Sequence, residues 1–283
     1  MKTSRVILGS LLAIVSLVAS QIGAELLSSL FHLLGLPLGF CNMIAGVLYL
    51  LLAYLLLRLL SEKYLHMDMA SIRLPRFSIK MKWLAAAVLL PAAVKGVFLL
   101  LPGEFVSSEM TKSQIFTTLS AGIMFTGIAA GFVEEMVFRG VIMGLLKERW
   151  NTAVAILVPS VLFAAVHLIG MDFTLTSCLL VLVAGTMVGI MFSLIALEGN
   201  SVWNSGIVHA FWNIIIIGGG LAIGGEMDEY SVMTYVLQSK SLVLTGGEFG
   251  IESSGIALVG YFVVTTFTLC LIKRAKGDRS ECH

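Results

Sequence analysis

Charge is what this sequence has least of. Asp, Glu, Lys and Arg make up 12% of the 283 residues, against 58% hydrophobic, and the mean hydropathy is +0.98. A soluble globular chain is nearer a quarter charged, so this balance excludes an ordinary water-soluble domain. The net charge of +1 points to no partner, and no nucleic acid is expected. Paired cysteines are also missing. Cys41, Cys178, Cys270 and Cys282 show no paired spacing, which excludes a disulfide framework and a CxxC site. Cys282 stands second from the end of this sequence, whereas a prenylation box needs cysteine fourth from the end. No internal repeat and no low-complexity segment is evident.

What the chain has instead is long apolar runs. Stretches of roughly 18 or more apolar residues, enough to cross about 30 Å of hydrocarbon, recur along it. Helices satisfy their own backbone in lipid, and the runs are too long and continuous for barrel strands. The fold class read from this is all-α: a polytopic membrane protein of about eight transmembrane helices, with a catalytic core in helices 4–7. The spans fall near residues 6–28, 42–60, 82–101, 115–147, 151–168, 173–197, 201–221 and 254–272. The whole of 1–283 is read as a single integral membrane domain. The fourth run is too long for one straight crossing and is expected to protrude. The start, MKTSRVILGSLLAIVSLVASQ, has the look of a secretory signal. Apolar character resumes after Gln21, however, so a retained first helix is expected.

Orientation follows from Lys and Arg. With eight spans and both termini cytoplasmic, 14 of the 18 basic residues fall on the cytoplasmic side. Only Lys112 and Lys240 fall opposite, and Lys95 and Arg139 lie within spans. The opposite side also carries the 222–253 loop with Glu226, Asp228, Glu229, Glu248 and Glu252. Residues 61–81 mix basic and apolar residues, which suits either an ordinary cytoplasmic loop or contact with an anionic leaflet.

Against this background GFVEEMVFRG, residues 131–140, stands out. An ionisable side chain at membrane depth costs at least about 2.5–3.5 kcal/mol on insertion scales. Glu135 and Arg139 are four apart on a helix and can pair. Glu134 points about 100° away and has no partner on its own helix. Further polar residues follow in later spans: His167, four after Phe163, and His209 with Asn213, again four apart. At about 1.5 Å per residue, all four of Glu134, His167, His209 and Asn213 can meet in one layer. One carboxylate, two imidazoles and an amide in a low-dielectric cavity make a hydrolytic site. The carboxylate can take a proton from water, a neutral histidine can orient that water or protonate a leaving amine, and histidine plus asparagine can donate to an oxyanion. Each polar residue also has a plainer reading as glue between membrane helices.

The spacings E134-E135-x-x-x-R139, F163-x-x-x-H167 and H209-x-x-x-N213, in that order on three apolar helices, resemble the CPBP (CAAX protease and bacteriocin-processing, or Abi) family. The similarity covers about residues 115–215, and SVWNSGIVHAFWN at 201–213 is similar to the family's third motif with its lead-in. The resemblance implies an intramembrane glutamic endopeptidase. Glu134 is then the general base, assisted by His167, and His209 and Asn213 line an oxyanion hole. Glu135, Arg139 and Phe163 hold the helix or position substrate. The implied partners are a peptide or protein substrate at the membrane and the lipid bilayer. A bacterial cell membrane is the expected location, in peptide maturation, bacteriocin immunity or signalling.

No cofactor is expected. The rival is a zinc peptidase using Glu134, His167 and His209, since zinc often takes two histidines and a carboxylate. HExxH is absent, and one free glutamate is poorly suited to be both ligand and base. A serine protease is disfavoured because Trp203, not glycine, stands two before Ser205, and the spans hold no paired aspartates for an aspartyl protease. A transporter or non-catalytic immunity protein is the remaining alternative. Transporters commonly carry duplicated halves, which are lacking here.

Overall fold

The computed structural model describes residues 1–171 and 174–280, the side chains of 248 and 276–280 excepted. Cys282 therefore lies outside the described residues, as do the side chains of Glu248, Lys276 and Arg279. Helices follow one another in the order α1 (Thr3–Leu33), α2 (Leu38–Leu65), α3 (Met81–Leu99), α4 (Lys112–Arg149), α5 (Thr152–Val166), α6 (Leu175–Gly199), α7 (Val202–Ile216) and α8 (Gly255–Ser280). Six of them, α1 to α4, α6 and α8, are long and apolar enough to cross a bilayer. The polytopic helical class is thus present, with six spans of full length among the described residues.

The other two spans read from sequence, α5 and α7, have 15 residues each, about 22 Å at 1.5 Å per residue. Both stop short although the sequence stays apolar. Helix α5 gives way to turns at His167, and α7 runs into Gly218–Gly220, of which Gly219 has φ 75°. That left-handed backbone favours glycine and ends the helix. Near their ends the two short helices carry His167 and Asn213, which line one cavity.

Local signals fix where the helices begin. Thr111 and Gln114 form a reciprocal capping box at the start of α4. The side chains of Asn151, Thr174 and Ser201 accept from the backbone at the starts of α5, α6 and α7. Such caps satisfy N–H groups that a helix start leaves open. Helix α4 is not uniform: the wider π-type turn occupies Ala121–Ala130 and Met136–Ile142, on either side of Gly131–Glu135. Wide turns of this kind recur at functional sites. At 38 residues, α4 is roughly 55 Å long and outruns the hydrocarbon, as its apolar run suggested.

Small residues let the helices approach. A Cβ on Gly131 would sit 2.8 Å from the Ala210 backbone, and one on Gly189 would sit 2.8 Å from the Ser160 Cβ. These close approaches lock α4 against α7 and α6 against α5, the packing mode that serves where lipid offers no hydrophobic drive. Large apolar side chains point outward instead, among them Leu11, Val15, Leu26, Leu51, Leu55 and Phe262.

Two features were not legible in the all-α reading. The first is a three-stranded sheet of β1 (Gly103–Ser107), β2 (Leu221–Gly224) and β3 (Met233–Leu237), in the order β1-β3-β2. Strand β1 runs antiparallel to β3 with Phe105 opposite Tyr235, and β2 runs parallel with Ile223 opposite Tyr235. The sheet ties the loop after α3 to the loop after α7. The second is that residues 66–80 fold back into the protein. Ile72 and Leu74 are buried against α4, and the Trp203 indole N–H donates to the Pro75 carbonyl at 2.8 Å. Arg73 is buried with them and donates to the Arg139 carbonyl at 3.2 Å. Burial pulls its guanidinium below the usual arginine range.

Candidate active site

Glu134 and Glu135 are chain neighbours in opposite surroundings. Glu135 is fully buried, and its Oε1 accepts from Arg139 at 2.7 Å. The Arg139 guanidinium also donates to the Gly189 carbonyl and lies over the rings of Phe163 (4.5 Å) and Phe192 (5.3 Å). A buried charge is tolerated when it is paired in this way, and the aromatic faces add cation–π attraction. The expected Glu135–Arg139 pair is therefore present, and it is sealed from solvent.

The same Glu135 Oε1 lies 3.3 Å from Nδ1 of His209. As the acceptor of a salt bridge to Arg139, that oxygen offers only lone pairs, so the His209 Nδ1 carries a hydrogen, and in the neutral ring its Nε2 presents a lone pair. That Nε2 faces Glu134 Oε2 at 3.8 Å. Helix α6 supports the ring from behind, with Phe192 stacked on it at 4.6 Å.

His167 is held differently. It sits at the end of α5, where its Nδ1 lies 2.7 Å from the Phe163 carbonyl. A carbonyl only accepts, so Nδ1 again carries the hydrogen and Nε2 is the free acceptor. The four-residue spacing serves this bond directly, since position i+4 at a helix end reaches the carbonyl of i. Phe163 thus touches both sides of the site, ring against Arg139 and carbonyl against His167.

Glu134, His167, His209 and Asn213 all line one cavity of about 310 Å³, within the range of small-ligand sites. Glu134 is a fifth exposed, yet its Oε2 has no hydrogen-bond partner among the described residues. Asn213 spends one amide hydrogen on the Thr126 carbonyl at 2.9 Å and keeps the other. Glu135 and Arg139 do not line the cavity, whereas Phe163 does.

Sequence reasoning missed one ionisable member. Glu252 also lines the cavity, from a short 3₁₀ turn (Ile251–Ser253) just before α8. Its Oε2 accepts the Trp212 indole N–H at 3.3 Å, and its backbone carbonyl accepts from the Tyr261 hydroxyl at 2.9 Å. Burial pushes its carboxyl above the ordinary carboxylate range, against the pull of His167, the Trp212 N–H and His209. By sequence it belonged to an acidic outer loop. The available signal was its setting, FGIESSGIALVG, in which the one carboxylate stands among apolar and small residues. A second chamber of about 610 Å³ lies under the same loop and shares Ile217 and Phe249 with the cavity.

A zinc ion would need Glu134, His167 and His209 to point donor atoms at a single centre about 2 Å away. Among the described residues no group of three or more His, Cys, Asp or Glu side chains is so arranged. These residues do not fit a zinc site as placed, and no catalytic step is routed through one.

A polytopic helical protein with an acid- and imidazole-lined cavity is the class that the fold and site define. Comparison with known families adds the particular. Residues 116–215 match the family described as Rce1-like, type II CAAX prenyl endopeptidase. That is 100 of the 283 residues, the stretch holding all three motifs. The likeness of these motifs to the CPBP/CAAX protease family is thereby borne out over that stretch. No significant match exists among curated proteins or among solved structures.

Proposed function

We propose that this protein hydrolyses a peptide bond of a membrane-associated protein or peptide, with water as the nucleophile activated by Glu134. The observation that carries the reading is the Glu134 carboxylate itself. It is held at a cavity wall with an oxygen that no described protein group satisfies, 3.8 Å from the free Nε2 of His209. A polar gap of that width is one that water bridges.

Glu134 takes a proton from the water as it attacks the scissile carbonyl. His167 assists through Nε2, which its bond to Phe163 leaves as an acceptor. The remaining amide hydrogen of Asn213 is the donor for the developing oxyanion, with His209 beside it on the same cavity wall. Glu135, Arg139 and Phe163 hold these groups in register. The family description points to prenylated CAAX-type substrates, the distribution of Lys and Arg supports cytoplasmic termini, and a bacterial cell membrane is the setting we propose.

The test uses the full chain in lipid nanodiscs with an internally quenched, farnesylated CAAX peptide and its unprenylated counterpart. Glu134→Gln is expected to lower turnover by about 10²–10⁴-fold, the usual contribution of a general base, with thermal stability unchanged. Turnover of either peptide by the variant at the wild-type rate refutes the mechanism.

A further inference from the structure

The proposed hydrolysis needs a proton donor for the departing amine; neither the neutral histidines nor Asn213 presents a hydrogen to release, and Glu134 carries one only after it has taken it from water. His167 and His209 each commit the Nδ1 hydrogen elsewhere, to the Phe163 carbonyl and to Glu135. Each therefore faces the cavity with a lone pair. Asn213 has a single amide hydrogen to spare, and an amide does not release it. Glu134 begins as the base. Peptide nitrogen leaves as an amine only if it is protonated as the C–N bond breaks.

We infer that Glu252 is the general acid of this site, a role that rests on the hydrolase reading. It lies in the same cavity as Glu134 but arrives from the turn before α8, beyond the stretch that matches the family. The Trp212 N–H occupies its Oε2 and so fixes the orientation of the carboxyl, leaving Oε1 without a partner among the described residues. The Tyr261 hydroxyl holds the backbone of the same residue. Burial raises its carboxyl above the ordinary carboxylate range, against the pull of His167, the Trp212 N–H and His209. The charged and titratable groups around it are Glu134, His167, His209 and the Tyr261 hydroxyl.

The steps balance. Water gives a proton to Glu134, and its oxygen bonds to the carbonyl carbon, whose π pair moves to oxygen. When the carbonyl re-forms, the C–N pair goes to nitrogen, which takes the proton of Glu252. The products are a carboxylic acid and an amine. Glu134 is left protonated and Glu252 ionised, and the proton passes back from one to the other before the next turnover. Two carboxyl groups in unequal surroundings thus divide the base and acid roles.

The role is tested with full-length wild type, Glu252→Gln and Glu134→Gln in nanodiscs. Two probes share one acyl chain: the quenched peptide amide, and an activated nitrophenyl ester whose leaving group needs no proton. Glu252→Gln is expected to slow amide cleavage by about 10²–10³-fold and ester cleavage by no more than about threefold, whereas Glu134→Gln slows both. Infrared spectra at neutral pH should show a protonated-carboxyl band that disappears in Glu252→Gln. Equal losses on amide and ester, an undiminished amide rate, or the absence of that band overturns the acid role while leaving the Glu134 mechanism standing. Hydrolysis of neither probe by wild type overturns the hydrolase reading, and the acid role falls with it.

Discussion

Two adjacent glutamates divide this protein into a closed half and an open half. On the closed side Glu135 and Arg139 are fully buried, bonded to each other and ringed by Phe138, Phe163 and Phe192. On the open side Glu134 meets a cavity with two imidazole lone pairs, an amide and a second carboxyl. The difference between these two regions is one of access to the cavity rather than of residue type, since Glu135 Oε2 and Arg139 Nε also lack hydrogen-bond partners among the described residues but neither residue lines the cavity. Ionised groups are tolerated in a membrane protein when charge is paired with charge, and a carboxylate that opens on a cavity is available for chemistry. His209 joins the halves, with Nδ1 on Glu135 and Nε2 towards Glu134.

The comparison breaks first on the closed side. Arg139→Ala leaves Glu135 buried without its cation, and a loss of about 3–5 kcal/mol is expected from severing a buried pair. Thermal unfolding in detergent measures it, and a variant as stable as wild type would mean that the pair does not hold the bundle. Next in size is Asn213→Ala on the open side. Removal of one oxyanion donor lowers kcat by about 10²–10³-fold, while the lost bond to Thr126 costs only about 1 kcal/mol. A fall in stability that matches the fall in kcat would move Asn213 to the structural half.

A smaller effect concerns Glu252. Its folded carboxyl is raised above the unfolded value of about 4.3. Between those two values the folded chain keeps a proton that the unfolded chain releases. The associated stability is therefore complete below the unfolded value and is lost as pH rises through the folded one. Glu252→Gln should flatten that part of the stability–pH curve, and a slope unchanged by the substitution would place the carboxyl in water. The smallest expected effect is that of chelator. Peptide turnover after EDTA treatment should equal that of untreated protein, and a loss restored by zinc would return Glu134, His167 and His209 to the role of ligands.

The motifs lay close to the surface of the sequence because each is local. Glu135 and Arg139, Phe163 and His167, and His209 and Asn213 are all i,i+4 pairs, and helical geometry alone sets what such pairs can reach. The first two bond as their spacing suggests. The third does not: His209 turns to Glu135 on α4 and Asn213 to Thr126 on the same helix. Glu252 could not be found this way. It is 118 positions from Glu134 and has no periodic partner, and only the fold-back of its loop brings it to the cavity. The sheet was hidden for the same reason, since GEFVS and MTYVL are short segments that become strands only by meeting each other.

By itself the sequence determined the solvent, the helical class and the identity of three motif pairs. Hydrophobic length and helical spacing are properties of neighbouring residues, and they hold before any packing occurs. Tertiary structure alone decided that two of the spans are short, that the loops seal one end with a sheet, and which carboxylates are sealed and which are open. Those outcomes depend on contacts between distant segments, where burial and the supply of hydrogen-bond partners are set by the whole bundle.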